Sequence, residues 1–193
     1  MKTKDRILDV AIALFNEHGT NNISTNHIAE AIGISPGNLY YHYANKQEII
    51  RAIFERLFGL WDTTFTVSGD HPLTIDDVRW LVHSNFKLMR EYQFIYRELI
   101  VLLRQDAVLH DRYAVIRKRG YDGFHEIIGA LAKSGVLLVT MNDETISRLA
   151  DLCWLISEFW LSMVEVSGNR VDDDQMTRGI DLMMQALRPY IAI

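Results

Sequence analysis

The stretch Thr25-Asn-His-Ile-Ala-Glu-Ala-Ile-Gly-Ile-Ser-Pro-Gly-Asn-Leu-Tyr-Tyr-His-Tyr43 decides the fold. Its apolar residues recur at helical spacing on either side of Gly33, so it reads as two short helices joined by a tight turn. Ser24 or Thr25 is placed to cap the first helix, and Ser35 the second, with Pro36 at the first helical position where its missing N–H costs nothing. Ala29, four residues before the turn glycine, is small enough for the second helix to cross closely. Ile28, Ile32, Ile34 and Leu39 form the shared core of this reading. The rest of the second helix, Pro36, Gly37, Asn38, Tyr40, Tyr41 and His42, is small or ends in hydrogen-bonding tips. That face suits a helix entering the major groove of a duplex. Of the three tyrosines Tyr40, Tyr41 and Tyr43, the last is expected in the core.

Outward from this hairpin, Ile7, Leu8, Ala11, Leu14 and Phe15 predict a supporting helix over Thr3 to His18, stopped by Gly19. Asn45 predicts a cap for a fourth helix, with Glu48 three residues on as a variant capping box. Ile49, Ile50, Ile53, Phe54, Leu57 and Trp61 give that helix a long buried stripe to about Phe65.

These first 56 or so residues resemble the DNA-binding domain of the TetR family of bacterial transcriptional regulators. The resemblance is carried by Ile7 to Gly19, by Ser24 to Gly33, and by Ser35-Pro-Gly-Asn-Leu-Tyr-Tyr-His-Tyr-Ala-Asn-Lys-Gln-Glu48. It implies that Thr25 and its neighbours Ser24 and Asn26, at the helix start, touch phosphates. It also implies that Pro36 to His42 face the groove and that Lys46 clamps the DNA backbone. Helix N-termini carry partial positive charge and free N–H groups, which independently suits phosphate oxygens. Lys2, Lys4 and Arg6 are candidates for a flexible arm, and His27 and His42 for phosphate or base contacts.

Composition frames the rest. A chain of 193 residues makes one domain, or one plus a small module. With 49% apolar and 23% charged residues it reads as a folded globular protein, and only 3 prolines and 11 glycines lean it towards all-α. Cys153 alone makes neither an internal disulfide nor a multi-cysteine zinc site, and an inert buried thiol is expected. No secretory h-region is visible, and Leu152 to Val166, interrupted by Glu158 and Glu165, is too short to span a bilayer, so a cytoplasmic location without membrane contact is expected. The formal charge of −5 argues against nucleic acid on its own. Residues 1–56 hold six basic and six acidic groups, however, so the excess of acid lies in the C-terminal part.

The expected organisation is a helix-turn-helix DNA-binding domain over 1–46, extending into a linking helix 46–65, and a larger helical effector-binding and dimerisation domain over 47–193. The clearest break is Thr66 to Pro72. Further helices are predicted over Thr74–Glu91, Tyr92–Arg104, Ala107–Ser134, Asp143–Val166 and Asp172–Tyr190, with Val136 to Met141 as a loop.

The helix Asp143–Val166 is apolar nearly all round, and a second copy of the chain is the economical cover. Met176, Ile180, Met183, Met184 and Leu187 of the last helix extend the expected face, so a homodimer through the last two helices is predicted. Between hairpin and dimer face, Trp80, His83, Phe86, Tyr96, Tyr113, Arg117 and Tyr121 are candidate contacts for an unidentified small-molecule effector, a role the resemblance gives to this region. The larger domain also resembles one particular C-terminal subfamily of these regulators, through Tyr92-Gln-Phe-Ile-Tyr-Arg-Glu-Leu99, Leu109-His-Asp-Arg-Tyr113, Trp154-Leu-Ile-Ser-Glu-Phe-Trp-Leu161 and Leu187-Arg-Pro-Tyr190.

Catalysis finds little support. There is no phosphate-binding glycine loop, nucleophile elbow or His-Glu-x-x-His helix, and no metal or cofactor is expected. The pairs His110-Asp111 and His125-Glu126 are adjacent in sequence and point different ways on a helix. The sequence therefore reads as a homodimeric repressor that binds double-stranded operator DNA and is released by a small-molecule effector. The rival reading is a helical ligand-binding or protein-interaction module that keeps the hairpin only as structure.

Overall fold

The computed structural model describes residues 2–64, 72–138 and 142–192. Among them the chain forms nine α-helices: α1 (Thr3–His18), α2 (Thr25–Ile32), α3 (Pro36–His42), α4 (Lys46–Thr64), α5 (Ile75–Glu91), α6 (Gln93–Gln105), α7 (Ala107–Lys133), α8 (Asp143–Val166) and α9 (Asp173–Leu187). Phe65, most of the expected break Thr66 to Pro72, and the last part of the expected loop Val136 to Met141 lie outside the described residues.

Local chemistry accounts for most helix ends. The Asn45 side chain accepts from the Glu48 N–H at 2.9 Å, and the Glu48 carboxylate reaches back to the Ala44 N–H at 2.7 Å. Thr74 and Asp77 cap α5 reciprocally. Asn142 and Asp172 accept from Thr145 and Gln175 to start α8 and α9. The last helix stops short of its expected end. Pro189 has no N–H to continue the ladder, so Arg188–Tyr190 tightens into a 3-10 turn. Ile191 then forms an isolated antiparallel bridge with Leu137, within the segment expected to be loop.

The N-terminal helices are docked on the rest through polar joints set in apolar packing. Asn16 of α1 sits at the α5–α6 junction: its amide donates to the Glu91 carbonyl at 2.8 Å and accepts from the Phe94 N–H at 3.0 Å. It thus satisfies one orphan group at each helix end. The rings of Phe15 and Phe94 meet behind it, centroids 5.1 Å apart. Along the seam between α4 and α7 run three ion pairs, Arg51 with Asp106, Glu55 with Arg112, and Asp62 with Arg119. Among the described residues no helix is long and apolar enough to cross a membrane, and no cluster of three His, Cys, Asp or Glu residues could hold a metal ion.

Candidate nucleic-acid interface and ligand cavity

The hairpin closes as its residues dictate. Ser24 Oγ accepts from the His27 N–H while His27 Nδ1 accepts from the Ser24 N–H, both at 3.3 Å, so His27 completes a capping box. Gly33 takes φ +76°, a conformation that disfavours any side chain. The N–H groups of Gly33 and Ile34 then close onto the carbonyls of Glu30 and Ala29, both at 3.0 Å, in a Schellman arrangement. Ser35 Oγ caps α3 at the Asn38 N–H, 3.2 Å away. Ile28, Ala29 and Leu39 are essentially fully buried, and Tyr43 joins them as expected. Burial pushes the Tyr43 phenol up to about 12.

What remains outside is the polar face. Ser24, Asn26, Pro36, Gly37, Asn38 and Tyr40 are exposed, Thr25 and His42 half-buried, and Tyr41 stands 85% exposed against the edge of the His42 ring. Thr25 Oγ1 and Tyr40 Oη lie 3.0 Å apart, tying the start of α2 to the middle of α3. The start of α2 therefore stands beside the exposed tips of α3.

Lys46, to which the resemblance gives the backbone clamp, is engaged within the chain. Its Nζ donates to the carbonyls of Thr20 at 2.7 Å and Ile23 at 3.0 Å, pinning the turn between α1 and α2. The same turn is held from the other side by Glu98 of α6, which accepts from both the N–H and the hydroxyl of Thr20. Other basic groups here are also engaged within the chain: Arg6 with the Ile32 carbonyl, Arg51 with Asp106, and Arg56 with Asp9. Lys4 rests over the Tyr43 ring, 5.3 Å from its centroid.

A cavity of about 550 Å³ lies among α4 to α9. Of the seven candidate effector contacts, only Tyr96 and Tyr113 line it. Trp80 is 57% exposed on the outer side of α5, whose inward positions are Val78 and Val82. His83 and Phe86 face a separate shallow groove against α9, where the Phe86 ring packs on Gly179. Arg117 and Tyr121 lie outside the cavity, next to the lining positions Ile116 and Gly120. Each residue turns a helix by about 100°, so one position decides between wall and surface. Composition identified the right helices without setting their rotation.

Phe124, on the same stretch of helices, also lines it, and the lining residues that the sequence did not single out as effector contacts include Trp61, Asn85, Trp154, Ser157 and Glu158. Asn85 donates to Ser157 Oγ at 2.9 Å, and Tyr113 Oη donates to Glu158 Oε1 at 2.7 Å. Desolvation raises the Tyr96 and Tyr113 phenols above their ordinary range. Cys153 is buried as expected, its thiol pushed up to about 12 by the same cause.

On the expected dimer face, Leu149, Ile156, Trp160, Leu161 and Val164 of α8 turn into this chain's core. Leu152, Leu155, Phe159, Met163 and Val166 line the opposite side, 38% to 90% exposed. Of the α9 residues expected on this face, three turn the other way. Met176, Met183 and Leu187 are buried in the chain's own core, Ile180 and Met184 pack against it, and Leu182 is the large apolar side chain of α9 left outside.

Residues 7–53 match the profile described as bacterial regulatory proteins, tetR family, and residues 61–192 match the profile of the TetR bacterial transcriptional repressor. The biofilm operon icaADBC negative transcriptional regulator IcaR of Staphylococcus epidermidis is 33% identical over 97 residues, 50% of this chain and 52% of that protein. The chain thus spans about half the length of the curated relatives it matches. A TetR-family regulator from Marinobacter aquaeolei VT8 superposes with a TM-score of 0.90 at 32% identity, covering 99% of this chain and 92% of the other. A SmeT–triclosan complex shares the fold alone, with a TM-score of 0.68 at 22% identity over 98% and 91% of the two chains. With a matching profile at each end and the hairpin built as described, the chain belongs to the TetR family of bacterial transcriptional regulators.

Proposed function

We propose that the protein is a homodimeric repressor that reads operator DNA through α3 and releases it when a small molecule fills the central cavity. The observation that carries this reading is the exposed polar row of α3 around Tyr41, a side chain 85% in solvent, with the start of α2 held beside it through Thr25 and Tyr40. In this reading Ser24, Thr25 and Asn26 meet phosphates, and Asn38, Tyr40, Tyr41 and His42 meet the groove, with Pro36 and Gly37 allowing close approach. Lys46 acts by holding the turn beneath α2, and its third hydrogen is left for a phosphate.

Dimerisation is supported by the stripe from Leu152 to Val166. Its members recur at three- and four-residue spacing, and an exposed apolar row of that kind is a face for another chain. Two-fold pairing matches half-sites about 34 to 36 Å apart or a multiple of that. Release follows if an occupant of the cavity moves Trp61 and Asp62, because both belong to α4, which begins at Lys46 under the hairpin.

Gel retardation of DNA from upstream of the protein's own coding region, against unrelated competitor duplex, tests the reading. A retarded band that resists unrelated competitor and weakens steeply with salt is the expected result. Equal competition by any duplex would overturn it.

A further inference from the structure

The central cavity is an apolar chamber, and of the charged side chains in its wall the most deeply buried is negative. Glu158 projects from α8 with only 12% of its side chain exposed. Its Oε1 accepts the Tyr113 hydroxyl at 2.7 Å, which holds the carboxylate at the wall. The rings of Trp61, Tyr96, Tyr113, Phe124 and Trp154 line the same chamber. Among the described lining residues the acidic groups are Asp62, Glu126 and Glu158, and the one strong base is Arg119, already paired with Asp62. A carboxylate-bearing ligand would bring a second negative charge into this chamber with no unpaired cation to receive it.

Two further observations bear on what the chamber can hold. Among the buried polar groups in the wall, the indole N–H of Trp154 has no hydrogen-bond partner, and the Trp61 N–H and the Tyr96 hydroxyl have only each other. The Trp154 ring therefore offers an occupant its π face and edge without a competing internal hydrogen bond. A tethered cation also already samples the expected contacts from outside. The Arg117 guanidinium, 48% exposed, lies 3.5 Å from Glu158 Oε1 and 5.4 Å from the centroid of the Trp154 ring. Its distance from the carboxylate is longer than that of a tight ion pair, and half of it stays in water. A cation arriving inside the chamber would meet the same carboxylate and aromatic faces away from solvent, where both attractions are stronger.

We infer that the cavity selects apolar organic cations, with Glu158 as the charge-reading residue, the aromatic rings of the chamber as its cage, and Arg117 as the placeholder that an incoming cation displaces. The inference rests on the regulatory reading only for its biological consequence.

The test uses two probes of one shape and opposite charge, tetraphenylphosphonium and tetraphenylborate, titrated into the full-length protein in sodium buffer. Quenching of the cavity tryptophans Trp61 and Trp154 is the readout. The expected result is at least tenfold tighter binding of the phosphonium. Glu158→Gln, which keeps an oxygen for Tyr113, should erase that preference, whereas Arg117→Ala should tighten phosphonium binding about threefold. A structural role for Glu158 would weaken both probes alike and would leave Arg117→Ala without a gain. Equal binding of the two probes, preference for the borate, or binding of neither overturns the inference. Retardation of operator DNA, run in parallel, separates the two failures. Intact DNA binding without phosphonium preference sinks only the ligand class, whereas phosphonium binding without DNA binding sinks only the regulatory reading.

Discussion

Asp106 receives both arms of the Arg51 guanidinium, Nε to Oδ2 at 2.6 Å and Nη2 to Oδ1 at 2.9 Å, while the same Oδ1 caps α7 at the Leu109 N–H, 3.0 Å away. One buried carboxylate therefore joins the linking helix α4 to the first turn of α7. The Arg51 pair, helped by the Leu109 N–H, holds the Asp106 carboxyl below the usual carboxylate range.

Because its folded value lies below its unfolded value, the ionised Asp106 contributes stability above about pH 4, and that contribution drains away as pH falls through the lowered value. Asp106→Asn should cost about 1–2 kcal/mol at pH 7, since the pair is half-open on the Arg51 side and a cap oxygen survives. Below about pH 4 the variant should lose stability less steeply than the parent. Thermal midpoints from pH 7 down to pH 3 check both statements, and parallel curves would refute the role of the pair.

Tyr41→Ala should leave folding almost untouched, within about 0.5 kcal/mol, because the side chain stands in solvent. On operator DNA the same change should cost about 1–3 kcal/mol, a tenfold or greater loss. If affinity for random duplex falls by the same factor, Tyr41 touches phosphate and does not read bases.

For Lys46→Ala the geometry reverses the emphasis that the family likeness suggests. Two carbonyl acceptors in the Thr20 to Ile23 turn lose their charged donor, which should cost about 2 kcal/mol. In a chain of this size that lowers Tm by about 4–8 °C. An unchanged Tm with weakened DNA binding would restore the simple clamp.

Phe159→Glu places a charge in the middle of the exposed α8 stripe, next to Leu155 and Met163 along the helix. Sedimentation at micromolar concentration should show a monomer that keeps its helical circular dichroism, because Phe159 is 38% exposed in the single chain. A variant that still sediments as a dimer would move the interface elsewhere.

Gly33→Ala tests the turn. Nothing lies within 4 Å of the added methyl, so the whole cost is the positive φ, about 1–2 kcal/mol. A neutral effect on Tm would mean the turn tolerates side chains.

The hairpin was readable residue by residue because each of its signals is local. Ser24, Gly33, Ser35 and Pro36 act on backbone groups within four or five positions, so their meaning does not depend on what the rest of the chain does. The ends of α5, α8 and α9 are marked by the same kind of signal, which is why their starts fall at or beside the expected residues. The cavity wall was legible only as a set of helices. Tyr96 and Tyr113 face inward while Trp80, Arg117 and Tyr121 do not, and no local rule distinguishes an aromatic wall from an aromatic surface.

Helix identity, caps and turns thus follow from neighbours along the chain, where hydrogen bonds span a few residues and the physics is short-ranged. Rotation of each helix, the inward turn of Met183 and Leu187, the employment of Lys46 on carbonyls of a preceding turn, and the negative chamber around Glu158 follow from packing between helices distant in sequence. Those outcomes depend on which faces meet when the whole core is buried at once. That competition among contacts has no expression in any single segment.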